Sequence, residues 1–348
     1  MRHSPQFTHV SEHATLDHHS ALKDTVVANE RGKSIDNTHL SIDQAEARGF
    51  IHRDYIAHCL RWTHVAKYMQ KSTVYPRARV LDIGCGVDLP LARLLYSSRL
   101  IVEDYVGVEY NKSHKFKTEP FHTGKFPMSA YGSIDFAHPD QVIIANPPEG
   151  SKLTDNRVMW YGGDNEQAFH RLPNVFVSFE MLEHIEPGHA RAVMRKVYEM
   201  MVACREDTGD NPIGFFSTPC WSPRVGAAAN HVNEMLYEAL GAMFEDLGFV
   251  IENVAGTFAS QSDYKGQLIA DGHLSAYNAL SEHYDSNYLA TIFAPLYPHL
   301  ARNALWTLRV PKPGQEYERK FLPLAEVAGP WTSSAHWEDL ASDEAYGS

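Results

Sequence analysis

The sequence predicts an α/β fold: a doubly wound, mostly parallel sheet with helices on both faces. Three observations predict it. Short β-prone apolar runs alternate with longer segments of helical apolar periodicity. The first run, RVLDI (residues 79–83), enters a glycine-flanked turn at Gly84 and Gly86. A helix then opens, with Asp88 as its expected N-cap and Pro90 in its first turn. The first two strands also carry acids at their carboxyl ends, Asp82 and Glu109, where α/β sheets bind ligands.

The chain has 348 residues, 44% hydrophobic and 21% charged, enough for one large α/β domain with additions. A net charge of −12 disfavours a broad nonspecific nucleic-acid surface while allowing a local basic groove. The four cysteines, Cys59, Cys85, Cys204 and Cys220, form no CxxC pair and suggest neither a zinc ribbon nor a disulfide scaffold. No apolar run approaches the roughly 18 residues of a membrane span, and no apolar signal region opens the chain. A cytoplasmic, reduced protein without membrane association is expected.

Residues 1–50 form a polar, His-rich leader without regular ligand spacing (His3, His9, His13, His18, His19). Tyr55, Ile56, Leu60, Trp62, Val65, Ala66 and Met69 then predict a helix leading into the first strand. A helix over 89–96 buries Leu91, Leu94 and Leu95, and strands follow at 104–109 and, more weakly, 128–135. Two segments compete for the fourth strand, 142–145 and 174–179. A helix after Pro187 buries Val193, Met194, Val197, Tyr198 and Met201. Beyond it come a strand at 213–218, a helix over 231–247 stopped by Gly248, and a strand at 249–254. The Tyr- and Leu-rich helical stretch that follows is too long for a plain connection and reads as a cap inserted over the ligand edge of the sheet. The expected organisation is a core over 51–257, the cap over 258–303, a last core strand over 304–311 and a tail over 312–348.

The glycine turn excludes two common ligand cradles. A GxGxxG dinucleotide fingerprint needs a small residue where Leu89 stands, and no GxxxxGK[ST] loop exists. What remains is close backbone approach to a ligand. Glu109 is placed to accept both hydroxyls of a ribose, and Asp135 to meet an adenine amino group.

On these residues the chain resembles class I S-adenosylmethionine-dependent methyltransferases. VLDIGCG (80–86) is similar to the family's first motif, VGVE (106–109) to its second-strand acid, VSFEMLEHI (177–185) to its fourth-strand motif and FSTP (216–219) to its fifth. The resemblance covers roughly Tyr55 to Val310. It implies a Rossmann-like seven-stranded sheet of order 3-2-1-4-5-7-6 with an antiparallel last strand, and S-adenosylmethionine as cofactor. Carried over by position, Asp82, Gly84, Cys85 and Gly86 border the methionine part, Glu109 the ribose and Asp135 the adenine. Phe179 joins them at the end of the fourth strand. Asp88 departs from the family, which commonly has glycine there.

A second candidate site lies in EMLEH (180–184). Glu180, Glu183 and His184 stand at i, i+3 and i+4 and share one face if the chain is helical there. His231 is expected to open the helix after the fifth strand, so two carboxylates and two imidazoles converge at the ligand edge. That donor set suits Mg²⁺ or Mn²⁺. EMLEH followed by HVNE (231–234) resembles small-RNA 3′-terminal 2′-O-methyltransferases and ubiquinone-pathway O-methyltransferases, where such sets are associated with a divalent metal. The resemblance implies a cation that lowers the pKa of the acceptor hydroxyl. Without a metal, His231 or His184 is the general-base candidate, with Glu180 in the same catalytic cluster.

NPPE (146–149) is similar to the NPP(Y/F/W) motif of amino methyltransferases but has Glu149 in place of the stacking aromatic, so a Pro-rich turn is the simpler reading. AANHVNE (228–234), GTFASQS (256–262) and FAPLYPHLARNALW (293–306) resemble uncharacterised methyltransferase-domain proteins of bacteriophages, which keeps a nucleic-acid acceptor open. Arg224, Tyr264, Arg302 and Trp306 are candidates to line the acceptor pocket, with core packing the simpler role for Trp306. The expected activity is methyl transfer to an oxygen or nitrogen of an unidentified acceptor, with a small molecule or nucleotide favoured. DNA or RNA as acceptor, and a non-catalytic cofactor-binding or assembly protein, are the alternatives.

Overall fold

The structure is a computed structural model and describes residues 53–71, 77–86, 89–97, 102–109, 128–134, 141–144, 157–159, 172–259, 261–284 and 286–340. The expectations for the His-rich leader, Asp88, Asp135 and the 146–149 turn lie outside these residues.

Helix α1 (Arg53–Lys71) precedes β1 (Arg79–Ile83), and α2 (Pro90–Ser97) leads to β2 (Asp104–Glu109). Strands β3 (Met128–Ile134), β4 (Gln141–Ile144) and β5 (Arg157–Met159) follow, then β6 (Val175–Phe179). The chain continues through α3 (Pro187–Thr208), β7 (Ile213–Pro219), α4 (Tyr237–Asp246) and β8 (Val250–Phe258). Helices α5 (Gln261–Ala270), α6 (Leu274–Ser281) and α7 (Ser286–Phe293), called the cap below, precede β9 (Asn303–Arg309).

Among the described residues the sheet has nine strands, where the sequence predicts seven, in the order β5-β4-β3-β2-β1-β6-β7-β9-β8. The two additional strands, β4 and β5, fold back antiparallel along the outer edge of β3. The competition for the fourth position is thereby decided. Val175–Phe179 pairs parallel with β1, and Gln141–Ile144 lies instead between β3 and β5, antiparallel to both. Asn174 helps to place β6, because its side chain accepts from the Arg79 backbone N–H at 2.8 Å and donates to the Arg77 carbonyl at 3.1 Å.

Alternation along the central strands feeds two cores. Leu81, Ile83 and Phe176 pack with α3 and α4 on one face. Val80, Val175 and Val177 pack with α1 and α2 on the other. With both faces covered, every residue of β1 is buried, as a central parallel strand requires. Helix α3 starts with Pro187 at N1 and stops at Gly209, whose φ of 69° closes the C-terminus.

One expectation about element bounds is corrected. The helix predicted over 231–247 begins at Tyr237. Residues 231–234 instead spend their backbone groups outside any helix: the Val232 and Asn233 N–H groups donate to the Glu183 carbonyl, and Glu234 pairs with Ser333. The tail beyond Pro311, which shows no periodicity, is ordered by anchors. Leu324, Trp331 and Leu340 join the core beside α3 and α4.

The cap has a core of its own, built from Ala259, Tyr264, Leu268, Tyr277, Leu289, Ala290, Ala294 and Tyr297. Gly256 of β8 permits its close approach, since a Cβ there would lie 2.2 Å from the Ala294 carbonyl oxygen. Among the described residues no helix is long and apolar enough to cross a membrane.

Candidate functional site

The site is set by chain direction. From β1 the chain moves outward to β2 and β3, and β6 and β7 later fill the other side of β1. The carboxyl ends of β1 and β6 therefore flank the switch point, where open α/β sheets bind their ligands.

At the end of β1 the chain turns through Gly84 (φ 73°) and Gly86 (φ 65°). The Gly84 and Cys85 N–H groups both donate to the Val108 carbonyl, at 2.8 and 3.1 Å, and the Gly86 N–H donates to Glu109 Oε2 at 2.9 Å. A Cβ at Gly84 would meet the Met181 side chain at 3.0 Å. Glycine is thus required twice over, by conformation and by space. The turn, Glu109 and the β6 end form one contiguous surface through these contacts.

Asp82 is buried and accepts a 2.5 Å hydrogen bond from the Tyr105 hydroxyl. Burial pushes its carboxyl up to about 7; the Tyr105 bond opposes the shift and the nearby Glu109 charge adds to it. Cys85 is buried too, and its thiol is raised by burial and by the charges of Asp82 and Glu109. Its sulfur fills the space beside Gly107, so Cys85 offers the turn its backbone. Phe179 is half-buried at the end of β6, packed against the α1–α2 face.

Beyond Phe179 the expected common face of Glu180, Glu183 and His184 does not form. Glu180 takes a left-handed conformation (φ 57°), and only then does a single 3-10 turn, Leu182–His184, begin. Glu183, His184 and His231 bring one ligand atom each within 4.8 Å of one another. Glu180 stands outside that group. Its carboxylate is bound by Arg61 Nη1 at 2.7 Å, Ser217 Oγ at 2.9 Å and Asn303 Nδ2 at 2.7 and 2.9 Å.

The histidine tautomers follow from their partners. His231 Nδ1 lies 2.7 Å from Oε1 of buried Glu234, and His184 Nδ1 lies 3.1 Å from the Asn230 carbonyl oxygen. Both Nδ1 atoms therefore carry the proton, which leaves Nε2 of each ring as the basic nitrogen. The rings meet edge to face at 4.8 Å. Glu183 is buried and accepts from Thr218 Oγ1 at 3.1 Å. Burial raises its carboxyl well above the usual range, the Glu180 charge adds to this, and Thr218 and Arg61 counteract it.

The proposed pocket-lining residues divide. Tyr264 belongs to the cap core, where its hydroxyl donates to the Ala290 carbonyl at 2.7 Å, and Trp306 is wholly buried in the main core. Arg302 forms a two-pronged pair with Asp263, at 2.8 and 3.2 Å, while Arg224 is largely exposed and lies 3.7 Å from the same carboxylate.

Sequence reasoning missed Arg61, Tyr105, Ser217 and Asn303. Arg61 carried a readable signal: it falls in the stripe Ala57–Arg61–Val65–Met69, whose other members are all buried. A charged residue in a buried stripe requires a partner. Glu234 was equally readable three residues after His231.

No family model and no curated protein matches this chain. Solved structures do. A magnesium protoporphyrin IX methyltransferase from Synechocystis PCC 6803 is 11% identical with a TM-score of 0.42, over 84% of this chain and all of the other. The small RNA methyltransferase HEN1 is 12% identical with a TM-score of 0.43; the match spans 77% of this chain but only 28% of HEN1. A putative methyltransferase from Haloferax volcanii, in complex with the activator Trm112, is 10% identical with a TM-score of 0.40, over 79% and 99% of the two chains. All three are described as methyltransferases, but likeness of this degree carries no functional weight, and the site is read from its own geometry.

Proposed function

We propose that the protein is an S-adenosylmethionine-dependent methyltransferase acting on an oxygen or nitrogen of a small-molecule or nucleotide acceptor. One observation carries the reading: a glycine cradle with an acid on the next strand and a carboxylate–imidazole cluster stand on adjacent strand ends, β1 and β6, at the switch point of the sheet. The run β3-β2-β1-β6-β7-β9-β8, with β9 antiparallel to both neighbours, supports it as the seven-strand order implied by the first four motifs.

The residues fit the cofactor. At Gly86 the turn is uncrowded, a Cβ there meeting only Pro90 Cδ at 4.0 Å; Asp82 is a buried carboxyl suited to a nearby ammonium, and Glu109 already accepts a donor, as it would from ribose hydroxyls. The cofactor supplies an electrophilic methyl group; positioning by the chain contributes most of the rest. Asp135 on the adenine completes the proposed set.

On the acceptor side, His231 is oriented by Glu234 so that Nε2 can take a proton from a hydroxyl or amine. The donor set of Glu183, His184 and His231, one carboxylate and two imidazoles, also fits a divalent cation such as Mn²⁺ or Mg²⁺. Such an ion would act as a Lewis acid on the acceptor oxygen.

Titration calorimetry with S-adenosylmethionine tests the cofactor reading. Binding by the native protein, weakened by Gly84→Ala, is expected; absence of heat from the native protein refutes it. Transfer of tritiated methyl to fractionated small-molecule, nucleotide and nucleic-acid pools then identifies the acceptor class, and label in none of them refutes the catalytic reading. For the cation, Mn²⁺ is expected to raise the melting temperature, and Glu183→Gln with His231→Ala to abolish the rise.

A further inference from the structure

By spacing alone, Glu180 is the first acid of the candidate cation set. The structure gives it a different occupation. We propose that Glu180 is a positioning carboxylate, locked by Arg61, that fixes the Glu183–His184 turn and takes no part in cation ligation. The inference rests on the cation site of the proposed function.

Three elements hold this carboxylate. Arg61 comes from α1, Ser217 from β7 and Asn303 from β9. Oε1 accepts from Ser217 and Asn303 and faces the Arg61 guanidinium, so its two lone pairs are spent, and Oε2 accepts from Asn303 at 2.7 Å. The donors are themselves buried: the Arg61 side chain is 2% exposed, and Asn303 also accepts from Thr257 of β8 at 2.8 Å. A buried guanidinium against a carboxylate supplies the charge compensation that a ligated cation would otherwise provide.

The backbone makes the same point. A non-glycine residue in the left-handed region is strained and persists only where its surroundings hold it. Here the Glu180 N–H donates to the Ser217 carbonyl at 2.9 Å while the side chain is tied to Arg61 and Asn303. The reversal at Glu180 turns the chain into Leu182–His184, and the Glu183 carbonyl then receives the Val232 and Asn233 N–H groups from the segment that carries His231. The lock on Glu180 therefore sets where all three candidate ligands stand.

Mn²⁺ binding measured by calorimetry on the native protein, Glu180→Gln, Glu180→Ala and Glu183→Gln separates a positioning residue from a ligand. The amide of Glu180→Gln keeps an acceptor oxygen for the same donors, so its affinity is expected to stay within about threefold of native. Glu180→Ala releases the turn and is expected to lose about tenfold or more, and Glu183→Gln to lose most. A Glu180→Gln loss as large as that of Glu183→Gln makes Glu180 a ligand and overturns the proposal. Unchanged affinity in Glu180→Ala overturns the positioning role. A metal-free measurement separates this inference from the cation reading: the melting shifts of Arg61→Lys and Glu180→Gln are expected to be non-additive in the double variant. If the native protein binds no Mn²⁺ the cation reading fails, and the lock is decided by that cycle alone; additive shifts overturn it.

Discussion

The Asp82→Asn variant tests the electrostatics of the cradle. Asp82 is buried, with the Tyr105 hydroxyl as its partner, and its carboxyl is lifted from 3.8 to about 7. The folded protein thus holds this proton over a range where the unfolded chain has released it. The associated stability is complete below the unfolded value, falls as pH rises, and is gone once pH passes the folded value. At about 1.4 kcal/mol for each pH unit between those two values, the full loss is roughly 4 kcal/mol, of which roughly 3 kcal/mol falls between pH 5 and pH 8. Asparagine is neutral at every pH and can still accept from Tyr105. Urea unfolding of both proteins at pH 5 and pH 8 should therefore show the variant gaining on the native protein by that amount as pH rises. Adding S-adenosylmethionine should reverse the sign, because its ammonium favours ionised Asp82: native affinity should strengthen toward pH 8 and the variant's should not. A stability difference that stays flat with pH would refute a buried, proton-holding Asp82.

Gly84→Ala forces a Cβ onto a φ of 73° and against Met181 at 3.0 Å; a loss of about 1–2 kcal/mol is expected for the conformation alone, read by thermal melting, and an unchanged melt contradicts the turn geometry. Gly256→Ala drives a Cβ to 2.2 Å from the Ala294 carbonyl oxygen; overpacking of about 1–3 kcal/mol and faster proteolysis within 261–300 are expected, and equal protease resistance contradicts the docked cap. Trp331 is 6% exposed, donates from Nε1 to the Val327 carbonyl at 2.8 Å and meets Trp337 at 4.8 Å. Trp331→Ala should cost about 3–5 kcal/mol in urea unfolding, and a loss below about 1 kcal/mol would mean that the tail does not support the core.

What is legible in the sequence is local. RVLDI with its glycine turn, the acid at Glu109, and the Pro187 start of α3 all follow from short-range rules, and the structure has each of them. What is not legible depends on partners distant in sequence. The runs near 142–145 and 174–179 are both apolar and short; only pairing with Arg79–Ile83, directed by Asn174, separates the strand beside β1 from the one in the antiparallel extension beyond β3. Composition places the helix before β8 too early because residues 231–236 look helical, yet the Val232 and Asn233 N–H groups answer to Glu183, Glu234 to Ser333 and Leu236 to Trp331. The tail lacks periodicity because it is held by single anchors, with Leu236 N–H donating to the Trp331 carbonyl and Ser333 N–H to the Glu234 carbonyl. Those bonds make the tail a support of the segment that carries His231, a link that motif reading cannot supply.

Glu180 shows where motif spacing stops being sufficient. Positions i, i+3 and i+4 converge only on a helix, and that inference fails when one residue reverses the backbone. Glu180 does so, with φ at 57°, so it parts from Glu183 although only three positions separate them. The sequence held the warning in another element: Arg61 occupies the buried stripe of α1, where a charge needs an acceptor to face it. Several acids could have answered it. The one that does is the acid that spacing assigns to the cation, and this follows from Arg61 of α1 reaching the residue after β6, a relation between residues 61 and 180 that neither segment encodes alone. Four acid and histidine letters in the right order therefore correspond to three convergent candidate donor atoms and one internal counter-ion pair.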